Sequence, residues 1–96
     1  MTMGVKDATV KPLGYTKTAS AGSVITPVVQ TGARYMLIKC ETKAVRWRDD
    51  GTNPDTNTGM LIDVGDEFWY SGNLNTIRFI EDGATSTATL HIAQYR

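Results

Sequence analysis

The stretch that decides the fold is residues 33–48, Ala-Arg-Tyr-Met-Leu-Ile-Lys-Cys-Glu-Thr-Lys-Ala-Val-Arg-Trp-Arg. In an extended chain, Met36, Ile38 and Cys40 share one side, because successive side chains of a strand point in opposite directions. The opposite side then carries Tyr35, Leu37 and Lys39. A helix is the alternative, since four apolar residues also fall at helical spacing: Leu37, Cys40, Ala44 and Trp47. The strand is favoured, because residues 44–48 alternate cleanly and lead straight into a polar turn.

The rest of the chain also favours strands. Val, Ile and Thr supply 27 of the 96 residues, and β-branched side chains pack well on a pleated surface. Nine glycines and three prolines divide the chain into short segments. We therefore predict an all-β fold, a small antiparallel β-sandwich (jelly-roll-like or barrel-like) of about seven to eight short strands with an N-terminal arm. The further predicted strands are 23–30, 60–64, 67–70, 77–81 and 88–95.

The predicted core follows from the alternation within these strands. Residues 49–59 contain no apolar side chain apart from Pro54, which predicts a surface loop. Pro27 cannot donate a ladder hydrogen bond, so the strand that contains it is expected at an edge or to end there. The side chains predicted to face inward are Met36, Ile38, Cys40, Val45, Trp47, Leu61, Phe68, Tyr70, Ile77, Phe79, Leu90 and Ile92.

The length of the chain suits one domain. Residues 24–96 are predicted to form the β-sandwich domain, and residues 1–23 an N-terminal arm or edge segment. The few apolar side chains of the latter are too sparse for a strong core strand but sufficient to dock on a neighbouring surface. They are Val5, Val10, Leu13 and Tyr15. Lys6, Lys11 and Lys17 are expected to add a salt-sensitive component to that attachment.

Charge is divided unevenly along the chain although its total is zero. Residues 1–48 carry eight basic and two acidic side chains, a net +6, and residues 49–96 carry two basic and eight acidic ones, a net −6. Either the two halves interleave in space and pair their charges, or the molecule has a basic and an acidic surface that meet head to tail in an assembly. The zero total gives no support to general binding of nucleic acid.

No constellation for catalysis is visible, and we expect neither enzymatic activity nor a cofactor. His91 is the only histidine and Cys40 the only cysteine, which excludes the usual zinc ligand sets. His91 lies between Leu90 and Ile92 and is predicted to face away from the core. Cys40 is expected to be a small buried side chain. No apolar run is long enough to span a membrane and no signal peptide is evident, so synthesis in the cytoplasm is expected.

Two weaker binding possibilities remain open. The loop after Arg48 offers several oxygen ligands for a cation such as calcium, but Pro54 takes the position of the EF-hand glycine and no metal is predicted. These ligands are Asp49, Asp50, Asn53, Asp55 and Asn57. Five aromatic residues are candidates for stacking on a sugar, namely Tyr35, Trp47, Trp69, Tyr70 and Tyr95. Because Phe68 and Tyr70 are predicted to face inward, Trp69 faces outward, either to a protein partner or into a groove under the N-terminal arm.

The segment 61–72 contains the turn Gly65-Asp66 between two strands, and this turn resembles the Gly-Asp turn of cupin-like β-barrels. The resemblance implies a turn and a jelly-roll-like topology. It implies no cupin chemistry, because the metal-binding histidines of that family are absent.

A second resemblance covers residues 33–96. The motif Val45-Arg46-Trp47-Arg48-Asp49-Asp50-Gly51-Thr52, followed by Gly59-Met60, Gly65-Asp66, Tyr70, Gly72, Leu74, residues 77–80 and Tyr95-Arg96, resembles small phage and prophage virion structural proteins. Within the motif, Trp47 is expected to anchor the strand in the core. Asp49 and Asp50 are expected to cap or salt-bridge the turn, and Gly51 to adopt a positive φ.

This resemblance implies a structural protein of a tailed bacteriophage particle, made in the host cytoplasm and located in the virion. A capsid decoration or cement protein is the first expectation, and a tail, collar or fibre-associated module that binds glycan or protein is the alternative. The implied partners are other virion proteins and further copies of the chain, with a trimer favoured by analogy, and neither nucleic acid nor membrane is expected. The interaction candidates are Arg46, Arg48, Asp49, Asp50, Trp69, Lys6, Lys11 and Lys17.

Overall fold

The computed structural model describes residues 11–83 and 85–96. Within them the fold is all-β, with seven strands and no helix. The strands are β1 (Pro12–Thr18), β2 (Tyr35–Glu41), β3 (Val45–Arg48), β4 (Met60–Ile62), β5 (Glu67–Tyr70), β6 (Arg78–Glu81) and β7 (Thr89–Tyr95). They form an antiparallel four-stranded sheet in the order β1-β7-β2-β5 and an antiparallel three-stranded sheet in the order β4-β3-β6. The predicted all-β sandwich is confirmed.

The core lies between the two sheets. Met36, Ile38 and Leu90 are fully buried side chains of the four-stranded sheet, while Val45 and Phe79 belong to the three-stranded sheet. Because β2 and β7 bury every second residue, the strand prediction for residues 33–42 is confirmed and the helix alternative is wrong.

Strands from the two oppositely charged halves alternate in both sheets. Every paired set of strands joins one from residues 1–48 to one from residues 49–96. Ion pairs join the halves as well, from Arg46 to Asp82 and from Arg48 to Asp50. The halves therefore interleave in space, the first of the two alternatives.

The predicted inward position of Leu61 is wrong. Leu61 is 47% exposed, whereas Ile62 is 4% exposed. The register explains this, because Ile62 pairs with the buried Val45 and Leu61 pairs with Arg46, which points outward. Paired residues of neighbouring strands share a face, so β4 takes its orientation from β3.

The predicted strand 23–30 is also wrong. Its ladder is reduced to one bridge between Ile25 and Phe79. Further along, the buried Gln94 side chain takes the place of a neighbouring strand: its Nε2 donates to the carbonyl of Val28 at 2.8 Å, and its Oε1 accepts from the N–H of Gln30 at 2.8 Å. The segment therefore bonds to β6 of one sheet and to β7 of the other, and it does not extend a sheet.

Residues 12–18 of the predicted arm or edge segment form an edge strand, β1, which pairs with β7 along its length and has a β-bulge between Pro12 and Gly14. Just before it, Lys11 exchanges two backbone hydrogen bonds with Arg96, at 2.8 and 2.9 Å. Val5, Val10 and Lys6 lie outside the described residues.

Candidate interaction surfaces

Six of the eight predicted interaction residues fall on two surfaces on opposite sides of the sandwich. Arg46, Arg48, Asp49 and Asp50 lie on β3 and in the loop after it, and we call them the Arg/Asp corner. Trp69 and Lys17 lie on the outer face of the four-stranded sheet, the side turned away from the core. Lys11 lies at the end of this sheet beside Arg96, and Lys6 is outside the described residues.

Arg46 braces three segments in the Arg/Asp corner. Its Nε donates to Asp82 Oδ1 at 2.8 Å, and its Nη1 donates to the carbonyl of Gly59 at 3.0 Å. Arg46 thus ties β3 to the turn after β6 and to the residue before β4. Two of its guanidinium nitrogens therefore bond within the molecule.

Arg48 holds the first turn of the acidic loop. It donates to both carboxylate oxygens of Asp50, at 3.2 and 2.5 Å, and Asp50 also accepts from the N–H of Thr52 at 3.2 Å. The hydrogen bond from Arg48 lowers the pKa of Asp50. Gly51 has φ +86°, a conformation that glycine adopts without steric cost. The structure therefore shows both the expected salt bridge and the expected positive φ.

Asp49 connects the same loop to the core. Its Oδ2 accepts a hydrogen bond of 2.6 Å from the Tyr70 hydroxyl, and its backbone carbonyl accepts one of 2.9 Å from Thr76 Oγ1. Burial, followed by this contact with Asp49, raises the pKa of Tyr70 to about 12. Next to it, Trp47 of β3 stacks on Phe68 of β5 with ring centroids 4.9 Å apart, so its side chain packs against the core and anchors β3 as expected.

Within residues 11–83 and 85–96, no group of three or more histidine, cysteine or acidic side chains is arranged to hold a metal ion. The loop carboxylates have internal partners, including Asp55, which accepts from the N–H of Asn57 at 2.8 Å. Pro54 is buried, an exception to the predicted surface exposure of the loop. An open depression of about 510 Å³ lies beside the loop, between Trp47 and Met60.

The outer face of the four-stranded sheet carries two rows of side chains that cross all four strands. Strand registers align Tyr15 with Ala93, Ala93 with Leu37, and Leu37 with Trp69. We call this the aromatic row, because an aromatic residue stands at each end.

The second row runs parallel to the first. Registers align Lys17 with His91, His91 with Lys39, and Lys39 with Glu67. We call it the charged row; it begins with a cation on β1 and ends with an anion on β5. One oxygen of the latter, Glu67 Oε1, is buried and has no hydrogen-bond partner among the described residues.

Trp69 is 39% exposed and Tyr15 is 62% exposed. The exposure of Trp69 agrees with its predicted outward orientation, and its ring lies 5.4 Å from that of Tyr95. Two strands, β2 and β7, separate Trp69 from β1. Residues 11–18 therefore do not cover it.

His91 faces outward, as predicted, and both of its ring nitrogens are bonded. Nδ1 shares a hydrogen bond with the Tyr15 hydroxyl, and Nε2 shares one with Glu41. The bond with His91 lowers the pKa of Glu41. These three side chains, with Leu37 and Lys39, line an open depression of about 400 Å³.

Sequence reasoning missed the buried carboxylate of Glu81, which is 0% exposed. It accepts hydrogen bonds from the N–H groups of Ser86, Thr87 and Ala88, the last two at 2.8 and 3.1 Å, and from Thr85 Oγ1 at 3.3 Å. Burial raises the pKa of Glu81, but the backbone donors outweigh burial and leave this pKa below its usual value. We call this arrangement the Glu81 clasp.

The alternation of Ile77, Phe79 and Glu81 was the signal that could have located the clasp, because it places all three on the inner face. The same holds for Leu90, Ile92 and Gln94, whose side chain is 3% exposed. Buried Cys40 has a thiol whose pKa is raised, chiefly by burial.

Among the described residues, the structure contains no helix that is long and apolar enough to cross a membrane. Within the described residues, the fold and surfaces define a small all-β sandwich whose four-stranded sheet exposes Tyr15 and Trp69. Comparison with known proteins finds no family model, no curated protein and no solved structure that matches this chain.

Proposed function

We propose that this chain is a structural protein of a tailed bacteriophage particle, a capsid decoration or cement protein that acts through its surfaces. The observation that carries the proposal is the open outer face of the four-stranded sheet, with Trp69 and Tyr15 exposed at its two edges. Large exposed aromatic residues are typical of protein contact sites. The resemblance of residues 33–96 to virion structural proteins supplies the biological setting.

The Arg/Asp corner supports a structural role for the motif that carries this resemblance. The side chains of Arg46, Arg48 and Asp49 form hydrogen bonds within the protein, to Gly59, Asp50 and Tyr70 respectively. In this proposal the motif stiffens one side of the sandwich, and contact with the particle falls to the opposite, outer face. Virion proteins that stabilise a shell need a rigid contact surface, because ordering on binding costs affinity.

The proposal includes no catalytic role for the chain of Tyr15, His91 and Glu41. Glu41 has a side chain 62% exposed, and the chain lies on an open sheet face. Catalytic sites gain much of their electrostatic strength by excluding water, which this position does not do.

Co-sedimentation with heads of the parent phage tests the proposal. We expect the purified protein to pellet with heads, and Trp69→Ala to weaken binding by about tenfold or more, as for an aromatic residue that contributes strongly to an interface. Leu61→Ala is the matched control, since Leu61 is an exposed apolar residue on the three-stranded sheet. The proposal fails if the wild-type protein does not pellet, or if both variants bind equally well.

The second candidate is a tail, collar or fibre-associated module that binds a host glycan. The depression on the outer face favours it, because the aromatic ring of Tyr15 lies beside the hydrogen-bonding groups of His91, Lys39 and Glu41, as in many sugar sites. Titration with host surface glycans, followed by NMR of the His91 ring, discriminates the two. The glycan module predicts saturable shifts, and the decoration protein predicts none.

A further inference from the structure

The two rows on the outer face end in complementary residues at opposite edges of one sheet. β1 forms one edge and β5 the other. At the β1 edge the rows end in Tyr15 and Lys17, and at the β5 edge they end in Trp69 and Glu67. The aromatic row thus ends in an aromatic residue at both edges, while the charged row ends in a cation at the β1 edge and in an anion at the β5 edge.

We propose that the β1 edge of one copy of this chain pairs with the β5 edge of the next copy, so that the four-stranded sheet continues from subunit to subunit. This inference rests on the proposed structural role and on the further copies of the chain that the resemblance implies, and it names the surfaces that join those copies.

The strand directions permit this pairing. β1 runs antiparallel to β7, β7 to β2, and β2 to β5, so β5 and β1 run in opposite directions. A following copy in the same orientation therefore presents an antiparallel β1 to the β5 edge. Antiparallel neighbours need no change of strand direction to form ladder hydrogen bonds.

Among residues 11–83 and 85–96, both edges have open backbone groups. No backbone hydrogen bond from another described segment reaches the outer edge of β1 or of β5. The β6 edge differs, because Ala21 and Ile25 bond to Glu81 and Phe79 along it. The remaining edge, β4, spans three residues only. Open edges of this kind are templates for pairing with another chain.

Extending the rows by one strand places Trp69 opposite Tyr15 and Glu67 opposite Lys17 of the following copy. Aromatic pairs and opposite charges at such cross-strand positions stabilise a sheet. Among the described residues Glu67 takes part in no ion pair, although Lys39 stands opposite it in the charged row.

The contact joins two different patches, which makes it heterologous. Because the two patches differ, reversing one charge alters only one side of the contact. Lys17→Glu and Glu67→Lys each place like charges across the interface, while the double variant restores opposite charges. Lys43→Glu is the control for net charge, because Lys43 lies in the turn after β2, near Gly83 and away from both edges.

Sedimentation velocity of the purified protein at low salt measures the effect. We expect an oligomer for the wild type and for Lys43→Glu, association about tenfold weaker for each reversal at Lys17 or Glu67, and recovery in the double variant. Circular dichroism confirms that each variant is folded. The inference is overturned if the wild type is a monomer at high micromolar concentration, or if neither charge reversal weakens its association.

Cysteine trapping provides an independent test that does not depend on the charged variants. Within one copy, residues 15 and 69 are three strand spacings apart, about 14 Å, too far for a disulfide. Under a mild oxidant, a mixture of Tyr15→Cys and Trp69→Cys should give a cross-linked dimer, while neither variant alone should. Cross-linking in the single variants, or none in the mixture, contradicts the inference. Because no phage heads are used, this result stands apart from the test of particle binding.

Discussion

Glu81 and Asp50 are both carboxylates that hold a loop, yet their surroundings differ sharply. Glu81 is fully buried and accepts from three backbone N–H groups and one hydroxyl. Asp50, with a side chain 53% exposed, accepts from Arg48 and from one N–H. Water can replace every partner of Asp50, whereas the Glu81 side chain has no exposed surface at which water could replace its donors. The same chemistry therefore contributes far more to stability in the clasp than in the Arg/Asp corner.

The Glu81 clasp also controls more of the chain. The backbone of Glu81 donates to the carbonyl of Ala21 at 2.9 Å, and Ala21 donates to the carbonyl of Ala88 at 2.9 Å. The clasp thus fixes the connection between β6 and β7 together with the segment that follows β1. Among the described residues, Asp50 by contrast bonds to Arg48 and Thr52, each two positions away.

Replacing Glu81 should give the largest effect. Glu81→Gln substitutes an amide NH₂ for an oxygen that faces N–H donors, and we expect a loss of about 1–3 kcal/mol in the free energy of unfolding. Urea denaturation measures it, with Asp50→Asn as the matched carboxylate-to-amide control. Equal losses in the two variants would show that burial does not distinguish the two sites.

Lowering the pH should reveal the contribution of the ionised Glu81 carboxylate to stability. The pKa of Glu81 in the folded protein lies below its usual 4.5, so the folded state favours the ionised carboxylate. Its contribution is present above that usual value and is lost as the pH falls through the lowered pKa. We expect urea midpoints of the wild type to decline below about pH 4.5 more steeply than those of Glu81→Gln. Parallel pH profiles would contradict the assignment.

Tyr70→Phe should have an intermediate effect. The hydroxyl is lost from a residue only 7% exposed, but its acceptor, Asp49, is exposed and can be hydrated. We expect a loss of about 1 kcal/mol. Alkaline spectrophotometric titration offers a second measurement: the variant should lose the tyrosine that ionises with a pKa of about 12. An unchanged titration would mean that Tyr70 is not the tyrosine so affected.

Asp50→Asn should have the smallest effect. It removes an exposed ion pair with Arg48, and such pairs contribute little in water. We expect a Tm within error of the wild type and faster amide exchange in the loop after residue 50. A fall in Tm as large as that of Glu81→Gln would contradict the conclusion that the exposed Asp50 contributes less to stability than the buried Glu81.

The fold could be predicted from the sequence where a strand has one buried and one exposed face, and not where long-range contacts decide the structure. Alternation identified β2 and β7 correctly, because each has one buried and one open face. It failed at β4, where Leu61 and Ile62 are both apolar and only the register with β3 decides which is buried. It failed again at residues 23–30, where the long-range contact with Gln94 replaces a ladder.

Among the candidate residues, the distinctive motif drew attention to Arg48 and Asp50, which a single sequence shows as neighbours. The clasp was overlooked because Glu81 precedes an Asp-Gly turn and acidic residues are seldom fully buried. Its donors lie in residues 85–88, which carry no sequence signal for binding a carboxylate. The two rows on the outer face likewise depend on strand order, which periodicity does not give.

We propose above all that this protein works as a surface component of a phage particle. A cryo-EM map of the parent virion tests it most directly. The account predicts repeated copies of this sandwich on the head, with the outer face of the four-stranded sheet against neighbouring protein and β1 beside β5 of the adjacent copy. A map of the complete particle in which no density fits the chain would contradict it.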